Sequence, residues 1–388
     1  MVRAHGEAFV RAHALTPEQQ AVLRDIARCR TAELGGHVDV CDVCGHVEGP
    51  SYNSCRNRHC PKCQNLAQAR WVDQRMERML PAHAFHVVFT LPRQLRGLAL
   101  ANRGLVFNLL FACAAQTLLE TGRDPRWLEA DLGVTSVLHT WRRDLRFHPH
   151  VHCIVTGGGL SLDGRRWIGT SPRFLLPVRK LGAVFRDKLV DALRRDYALG
   201  KLRLVGPAAP LADPERFRLL CDKLARRRWV VYCKPPFGDR EQVFRYLGRY
   251  THRVGLSNQR LVSMDARGVT FRTRGDARVT VAPQEFLRRF VLHVLPKGFV
   301  KIRHHGLFAP GHVATKLAAA RALLEASGPV VAAARETSST PGDFREVLLA
   351  LTGLDLRRCS RCGALAVERR ALDPRRLAPL PPAPRDTS

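Results

Sequence analysis

Apolar residues in this chain follow the spacing of strands in some segments and the spacing of helices in others. Short apolar and β-branched runs predict strands at 86–91, 151–156, 229–233, 259–264, 268–274 and 277–282. Apolar residues three and four apart predict helices at 64–80, 93–121, 181–199, 213–228, 242–251 and 283–293. The run at 134–138 is short and fits either type. Because helices and strands are interleaved and the later strands are joined by hairpin-like turns, we expect an α+β fold with a largely antiparallel sheet.

No segment predicts a membrane span or a secretion signal. The longest uncharged apolar segment, 104–119, is shorter than the ~20 residues that a membrane helix needs. The first 13 residues are polar and contain no apolar signal core. We therefore expect a cytoplasmic protein without a membrane partner, in which the 12 cysteines stay reduced and serve as metal ligands or packed thiols.

The charge of the chain points to a polyanionic partner. Its 388 residues include 63 Lys and Arg against 34 Asp and Glu, a formal net charge of +29, and the calculated pI is about 10.9. A hydrophobic content of 45% excludes a wholly disordered chain. An excess of positive charge of this size is typical of nucleic-acid-binding proteins.

Six cysteines between 29 and 63 form a pattern typical of zinc sites. Cys41 and Cys44 are separated by two residues, as are Cys60 and Cys63 fifteen residues later. Such spacing lets one tight turn aim two thiolates at the same ion, and two turns complete the tetrahedron that Zn²⁺ prefers. We predict a structural zinc site made of these four thiolates, with packed or redox-active thiols as the alternative.

Two further groups of potential ligands leave the number of zinc ions open. Residues suited to a second site in the same stretch are Cys29, His37, Cys55 and His59. Near the C-terminus, Cys359 and Cys362 form half of a zinc knuckle with no cysteine or histidine after them. They are either a turn without metal or half of a site completed by Cys221, Cys233 or a second chain.

Three histidines at every second position, His148, His150 and His152, border a buried strand. Residues two apart on a strand share a face, so His150 and His152 are predicted to bind one divalent ion. Asp144 has the same parity as His150 and is a candidate for the third ligand, an oxygen that would favour Mg²⁺ or Mn²⁺. The alternative for Asp144 is an ion pair with a neighbouring arginine. Metallo-hydrolases with an HxHxDH motif fit poorly, because Cys153 follows His152.

Two of the five tyrosines, Tyr246 and Tyr250, stand one helical turn apart. An aromatic core stripe would have this spacing too, but the nearby arginines, Arg245, Arg249 and Arg253, are suited to contacts with phosphate. A phenol has a pKa near 10 and needs a cation nearby to act as a nucleophile. Together with the histidine pair, the pattern predicts tyrosine nucleophiles that attack a metal-bound phosphodiester.

Two histidines on a strand followed by a helix with tyrosines resemble the HUH single-strand nucleases. Longer motifs resemble the rolling-circle, two-tyrosine transposases of the ninety-one insertion-sequence family: CRTAELGGHVDVCDVCG (29–45), SYNSCRNRHCPKCQ (51–64), HVVFTLP (86–92), HTWRRDLRFHPHVHCIVTGGG (139–159), RYLGRYTHRVGLSN (245–258) and FLRRFVLHVLPKGFVKIRHHG (286–306). The resemblance implies a zinc-binding module at 1–80, an antiparallel HUH catalytic domain at 81–310 and a basic tail at 311–388 with the half-knuckle and a disordered Pro-rich end.

By this resemblance, the protein is a transposase of a bacterial insertion sequence that acts on single-stranded DNA at element ends and targets, close to the nucleoid. It would use structural Zn²⁺, catalytic Mg²⁺ or Mn²⁺ and 5′-phosphotyrosine intermediates, with no small-molecule substrate. The resemblance leaves the oligomeric state open. A plasmid replication or mobilisation initiator with the same chemistry is one alternative. A zinc-dependent DNA-binding regulator without catalysis is the other.

Overall fold

The computed structural model describes residues 1–63, 72, 76, 78–234, 256, 258–265, 267–326, 345–346, 348–349 and 353–372. The helices in these residues are α1 (Val2–Ala12), α2 (Pro17–Arg28), α3 (Arg96–Ala101), α4 (Arg103–Arg123), α5 (Val178–Ala198), α6 (Pro214–Arg226), α7 (Pro283–Val291) and α8 (Ala318–Ala326). The strands are β1 (Gly36–Cys41), β2 (Val47–Tyr52), β3 (Ala84–Thr90), β4 (Ala130–Trp141), β5 (Phe147–Ser161), β6 (Trp167–Gly169), β7 (Val231–Lys234), β8 (Leu261–Asp265), β9 (Gly268–Arg272), β10 (Arg278–Val281), β11 (Ile302–Gly306) and β12 (Val367–Leu372).

A six-stranded antiparallel sheet forms the centre of the largest part of the molecule. Its strand order is β11-β4-β5-β3-β7, and β6 pairs with the far end of β5. The two longest strands, β4 and β5, are buried along nearly their whole length. Burial on both faces removes the apolar–polar alternation that marks a half-exposed strand, which explains why the run at 134–138 was ambiguous in the sequence.

Helices α3 to α6 pack with this sheet around the main hydrophobic core. Helix α4 is long and apolar enough to cross a membrane by length and composition, but 56% of its most apolar window is buried inside the protein. It contacts α5, β4 and β5, and Phe107, Leu110 and Phe111 lie in the core. We therefore interpret α4 as the central helix of the core. It begins after Asn102, which interrupts the single helix predicted over 93–121.

A second core lies between the N-terminal helices and a later part of the chain. Phe9 of α1 and Val22 of α2 are buried with Phe271 of β9 and Phe286 of α7. The side-chain amide of Gln19 donates a hydrogen bond of 2.9 Å to the Val291 carbonyl. Helices α1 and α2 therefore pack against the three-stranded sheet β10-β9-β8 and α7.

The C-terminal segment contributes a strand to an N-terminal sheet. Strand β12 pairs with β1 in an antiparallel register that runs from Gly36 opposite Leu372 to Cys41 opposite Val367. The resulting sheet has the order β12-β1-β2. The strand order of a small sheet depends on which distant segment pairs with its edge strand. The local sequence around β12 does not indicate that β1 is its partner.

The α+β class and the antiparallel sheets predicted from the sequence are confirmed. Within the described residues, all predicted strands are present, most of them with ends shifted by one or more residues, as are the helices at 181–199, 213–228 and 283–293. The helix predicted at 242–251 and most of the one at 64–80 lie outside the described residues.

Candidate metal centres

Three histidines come together at one end of the central sheet. His150 and His152 lie on β5, and His139 lies directly opposite His150 on β4. The candidate ligand atoms of the three imidazoles all lie within 4.8 Å of one another. Paired residues on neighbouring antiparallel strands share a face, so the strand register itself assembles this histidine group.

The hydrogen bonds of His150 and His152 leave ring nitrogens available for a metal. His150 Nδ1 donates to the His148 carbonyl at 2.7 Å, so its Nε2 carries the lone pair. His152 Nδ1 is 2.6 Å from Nε2 of His86 on β3, and this bond orients the His152 ring. Metal-binding histidines generally use their second ring nitrogen in this way, bonded to a carbonyl or another fixed group.

Burial keeps these imidazoles neutral. It lowers the pKa of His150 to about 4 and that of His86 to about 4. For His139 and His152, burial and the neighbouring histidines hold the pKa well below the usual range. The neutral form is the one that binds metal ions, so the group is ready to bind at neutral pH without first releasing protons.

Asp144 does not join the histidine group. It lies in the turn between β4 and β5, where Leu145 adopts a positive φ of 61°. Its carboxylate is 3.4 Å from the Arg146 guanidinium and accepts a hydrogen bond from the Arg146 N–H. Strand parity does not extend through a turn, which is why counting from His150 failed. His139, rather than Asp144, lies with His150 and His152.

The N-terminal cysteines form a different group from the one predicted. Cys29 ends α2, and its thiol lies with those of Cys55, Cys60 and Cys63. The Sγ–Sγ distances are 3.6 Å for Cys29 and Cys60 and 3.6 Å for Cys55 and Cys63. Four thiolates about 2.3 Å from one zinc ion at tetrahedral angles would be about 3.8 Å apart. This group therefore fits a structural Zn²⁺ of the Cys₄ type.

Cys41 and Cys44 belong to another group, with Cys359 and Cys362. Cys41 lies at the end of β1. At the beginning of β1, the backbone of Asn53 is hydrogen-bonded to Arg30 and Gly35. Cys29 and Cys55 are close to these bonded residues in sequence, so they lie near the beginning of the strand. The five residue steps of β1 separate the two ends by roughly 17 Å. The prediction of one site from Cys41, Cys44, Cys60 and Cys63 is therefore corrected, because β1 holds the two pairs apart.

The two histidines considered for zinc have other environments. His59 is buried; its Nε2 accepts the Leu295 N–H at 3.3 Å, and its Nδ1 lies 3.1 Å from the Asn57 side-chain oxygen. His37 lies within β1, opposite Ser51 of β2. Neither belongs to a metal-ligand group in the described part of the chain.

Comparison with known proteins identifies the family. A family model described as "Transposase zinc-binding domain" matches residues 1–91, and one described as "Putative transposase" matches residues 133–316. The chain is 45% identical to "Putative transposase y4qJ" of Sinorhizobium fredii over 93% of this chain and 91% of that protein. It is 30% identical to the "Transposase for insertion sequence element IS801" of Pseudomonas savastanoi pv. phaseolicola over 75% of this chain and 70% of that protein. The chain belongs to the IS91-type insertion-sequence transposases. No solved structure matches it significantly.

Two of the candidate centres of this transposase lie in different matched regions. The cysteine group around Cys29 lies within the zinc-binding match and the histidine group within the other. Cys359 and Cys362 lie beyond both matches. The predicted nucleophiles and their basic neighbours, Tyr246, Tyr250, Arg245, Arg249 and Arg253, lie outside the described residues.

Sequence reasoning missed His139 and left the partners of Cys359 open. His139 opens the motif HTWRRDLRFHPHVHC, but it lies 11 residues before His150, with a turn in between. A hairpin reading of 130–161 would have placed His139 and His150 opposite each other, because the turn near 144 is the centre of that hairpin. For Cys359, the available signal was that the odd half-knuckle matched Cys41-x2-Cys44-Gly45 in spacing and in the glycine that follows.

Proposed function

We propose that this transposase cuts and rejoins single-stranded DNA at the ends of its insertion sequence, with a divalent ion held by His139, His150 and His152 and with Tyr246 and Tyr250 as nucleophiles. The observation that carries the proposal is the group of three neutral imidazoles within 4.8 Å of one another on the central sheet. The family membership supports DNA as the substrate.

The surroundings of the histidine group suit a phosphate backbone. Arg96 lies 3.2 Å from His148 Nδ1. Burial and the positive charges of Arg142, Arg93 and Arg146 lower the pKa of its guanidinium, which shows that these arginines are close together. Arginines clustered beside a site attract and position phosphates, which is the usual role of most contacts between proteins and DNA. We therefore expect the strand to enter along these arginines with one phosphate at the histidines.

The reaction exchanges one phosphate ester for another. A tyrosine oxygen attacks phosphorus and loses its proton, the bond from phosphorus to the 3′ oxygen breaks, and the departing 3′ oxygen gains a proton. When bound, a divalent ion withdraws electron density from a phosphate oxygen and so eases this attack. The product is a 5′-phosphotyrosine and a free 3′-hydroxyl. Rejoining is the reverse attack by a 3′-hydroxyl, so it needs no ATP.

The ligand set changes the expected preference among metals. An oxygen ligand from Asp144 would have favoured Mg²⁺, but three imidazoles suit Mn²⁺ and later transition metals better. We therefore expect Mn²⁺ to support cleavage at lower concentrations than Mg²⁺. We also place the protein in the cytoplasm, where its DNA substrate is found.

The decisive experiment detects the covalent intermediate. The wild type is incubated with Mn²⁺ and a labelled single strand that carries its element end, and we expect an adduct with the fragment on the 3′ side. Tyr246→Phe with Tyr250→Phe should form no adduct, and His150→Ala with His152→Ala should form none while still binding DNA in a strongly salt-dependent way.

Tyr197→Phe is the matched control. Tyr197 stacks on Phe217 with 3.9 Å between ring centroids, and its hydroxyl donates to the Ala212 carbonyl at 3.3 Å, so its variant should form the adduct normally. An adduct that survives in the double Tyr→Phe variant would overturn the nucleophile assignment. A wild type that binds DNA but forms no adduct with any strand or metal would support the regulator alternative.

A further inference from the structure

The segments Cys41–Gly45 and Cys359–Gly363 form two tight turns with the same backbone structure, called knuckles below. In the first, the Gly45 N–H donates to the Cys41 carbonyl at 2.9 Å, and Gly45 has a φ of +68°. In the second, the Gly363 N–H donates to the Cys359 carbonyl at 3.0 Å, with a φ of +76°. A side chain at either glycine would strain this left-handed backbone. Each knuckle therefore aims two thiols outward from one tight turn.

The two knuckles face each other with the spacing of a zinc site. Cys41 Sγ is 3.7 Å from Cys362 Sγ, and Cys44 Sγ is 3.7 Å from Cys359 Sγ. These distances are far longer than the ~2.05 Å of a disulfide. They match the ~3.8 Å edge of a tetrahedron of thiolates around Zn²⁺. All four thiols are free, and their sulfur atoms lie within 4.8 Å of one another.

We infer that Cys41, Cys44, Cys359 and Cys362 bind a second structural Zn²⁺, which fastens the C-terminal segment 353–372 to the N-terminal zinc-binding domain. The ligand pairs are 315 residues or more apart in the chain. The Cys₄ set leaves no position open for a substrate, so the site is structural. This inference does not depend on the proposed DNA cleavage.

The contacts around the site show why a metal is needed there. Strand β2 is almost entirely exposed, and β12 has no fully buried residue, so the sheet β12-β1-β2 buries little apolar surface. Arg369 forms two hydrogen bonds to the Asp39 carboxylate at 2.8 and 2.9 Å, and Ser360 donates to Glu48 at 3.2 Å. Partly exposed ion pairs contribute little to stability. Small units of this kind generally need a metal or a disulfide to stay folded.

The first test measures bound zinc in the full-length protein. Cys359→Ser with Cys362→Ser should bind one zinc ion fewer per chain than the wild type, by elemental analysis after dialysis. The control is Cys221→Ser with Cys233→Ser, the other cysteines considered as partners for the C-terminal pair. The control should keep the wild-type zinc content. An unchanged zinc content in the Cys359 and Cys362 variant, or an equal loss in the control, would overturn the inference.

The visible absorption of bound Co²⁺ distinguishes the loss of one thiolate site from general misfolding. Co²⁺ bound by four thiolates has strong visible absorption, so two sites of this kind should give about twice the intensity of one. The Cys359 and Cys362 variant should lose about half of the thiolate signal and keep the half that belongs to the group around Cys29. Loss of the whole signal or of none would refute two independent sites.

The second test asks whether the metal holds the C-terminal segment in place. A recognition sequence for a specific protease is inserted between residues 327 and 344, and the purified protein is cut there. In the otherwise wild-type background, the C-terminal piece should remain with the rest of the chain during gel filtration at high salt. In the Cys359→Ser with Cys362→Ser background, it should separate.

A piece that stays attached without its cysteines would contradict the fastening role. The elution volume of the uncut protein tests the remaining alternative, in which the knuckle pairs with a second copy of the chain. A dimer in the wild type that becomes a monomer in the cysteine variant would overturn the assignment of both knuckles to one chain.

Discussion

His86 offers a sharp test of the histidine group because it touches the proposed ligands without being one of them. It lies on β3 with its Nε2 2.6 Å from His152 Nδ1, and the two rings are stacked with 4.9 Å between centroids. Only 6% of its surface is exposed, so water does not replace it easily. We predict that His86→Leu weakens Mn²⁺ binding although the residues that hold the ion are unchanged.

The expected size follows from the role of this hydrogen bond. Removing such a supporting partner of a metal ligand typically lowers affinity by about 10- to 100-fold. This range corresponds to a loss of about 1.4–2.7 kcal/mol of binding free energy. The loss arises because the His152 ring is no longer oriented and its Nδ1 is left in a buried position without that bond.

The assay is a competition between the protein and a fluorescent chelator for Mn²⁺ at pH 7.5. His86→Gln keeps a polar group near Nδ1 and should recover most of the affinity, which a purely structural role of His86 would not explain. The control, His83→Leu, makes the same exchange at a ring that contacts Thr170 rather than the metal group. If His86→Leu lowered the Mn²⁺ affinity by only about twofold or less, the loss would be well below the expected range and the reasoning would be refuted. An equal loss of affinity in His83→Leu would refute it as well.

Two further predictions concern stability. Burial lowers the pKa of His293 to about 4, while in the unfolded chain it is about 6.5, so the unfolded state takes up a proton first as the pH falls. The titration of His293 should therefore decrease the free energy of unfolding by about 3 kcal/mol between pH 6.5 and 4. In urea denaturation, His293→Gln should reduce the dependence of the unfolding free energy on pH in this range. An unchanged pH dependence in this variant would contradict the low pKa of His293. For the zinc group around Cys29, Cys60→Ser should release one zinc ion and lower the thermal midpoint. Cys113→Ser changes a buried thiol of α4 that belongs to no metal-ligand group among the described residues, so this variant should keep its zinc. Equal zinc contents of the two variants by elemental analysis would exclude Cys60 as a ligand.

The local sequence was sufficient for features that depend on a few neighbouring residues. The spacing of His150 and His152 placed both on one face of β5, because side chains on a strand alternate between its two faces. The spacing of Cys41 and Cys44 indicated a knuckle, because a tight turn and the following glycine are set within five residues. The α+β class followed in the same way from the periodicity of separate segments.

Long-range pairing decided the rest, and for that the sequence held too little information. His139 reaches the site because the register of β4 and β5 sets it opposite His150, whereas Asp144 is turned away in the hairpin between them. Cys41 meets Cys362 rather than Cys60 because β1 separates the N-terminal pairs and β12 brings the distant knuckle back. Each knuckle alone is compatible with several partners, and only the free energy of the whole folded chain, through strand register and packing, selects one of them.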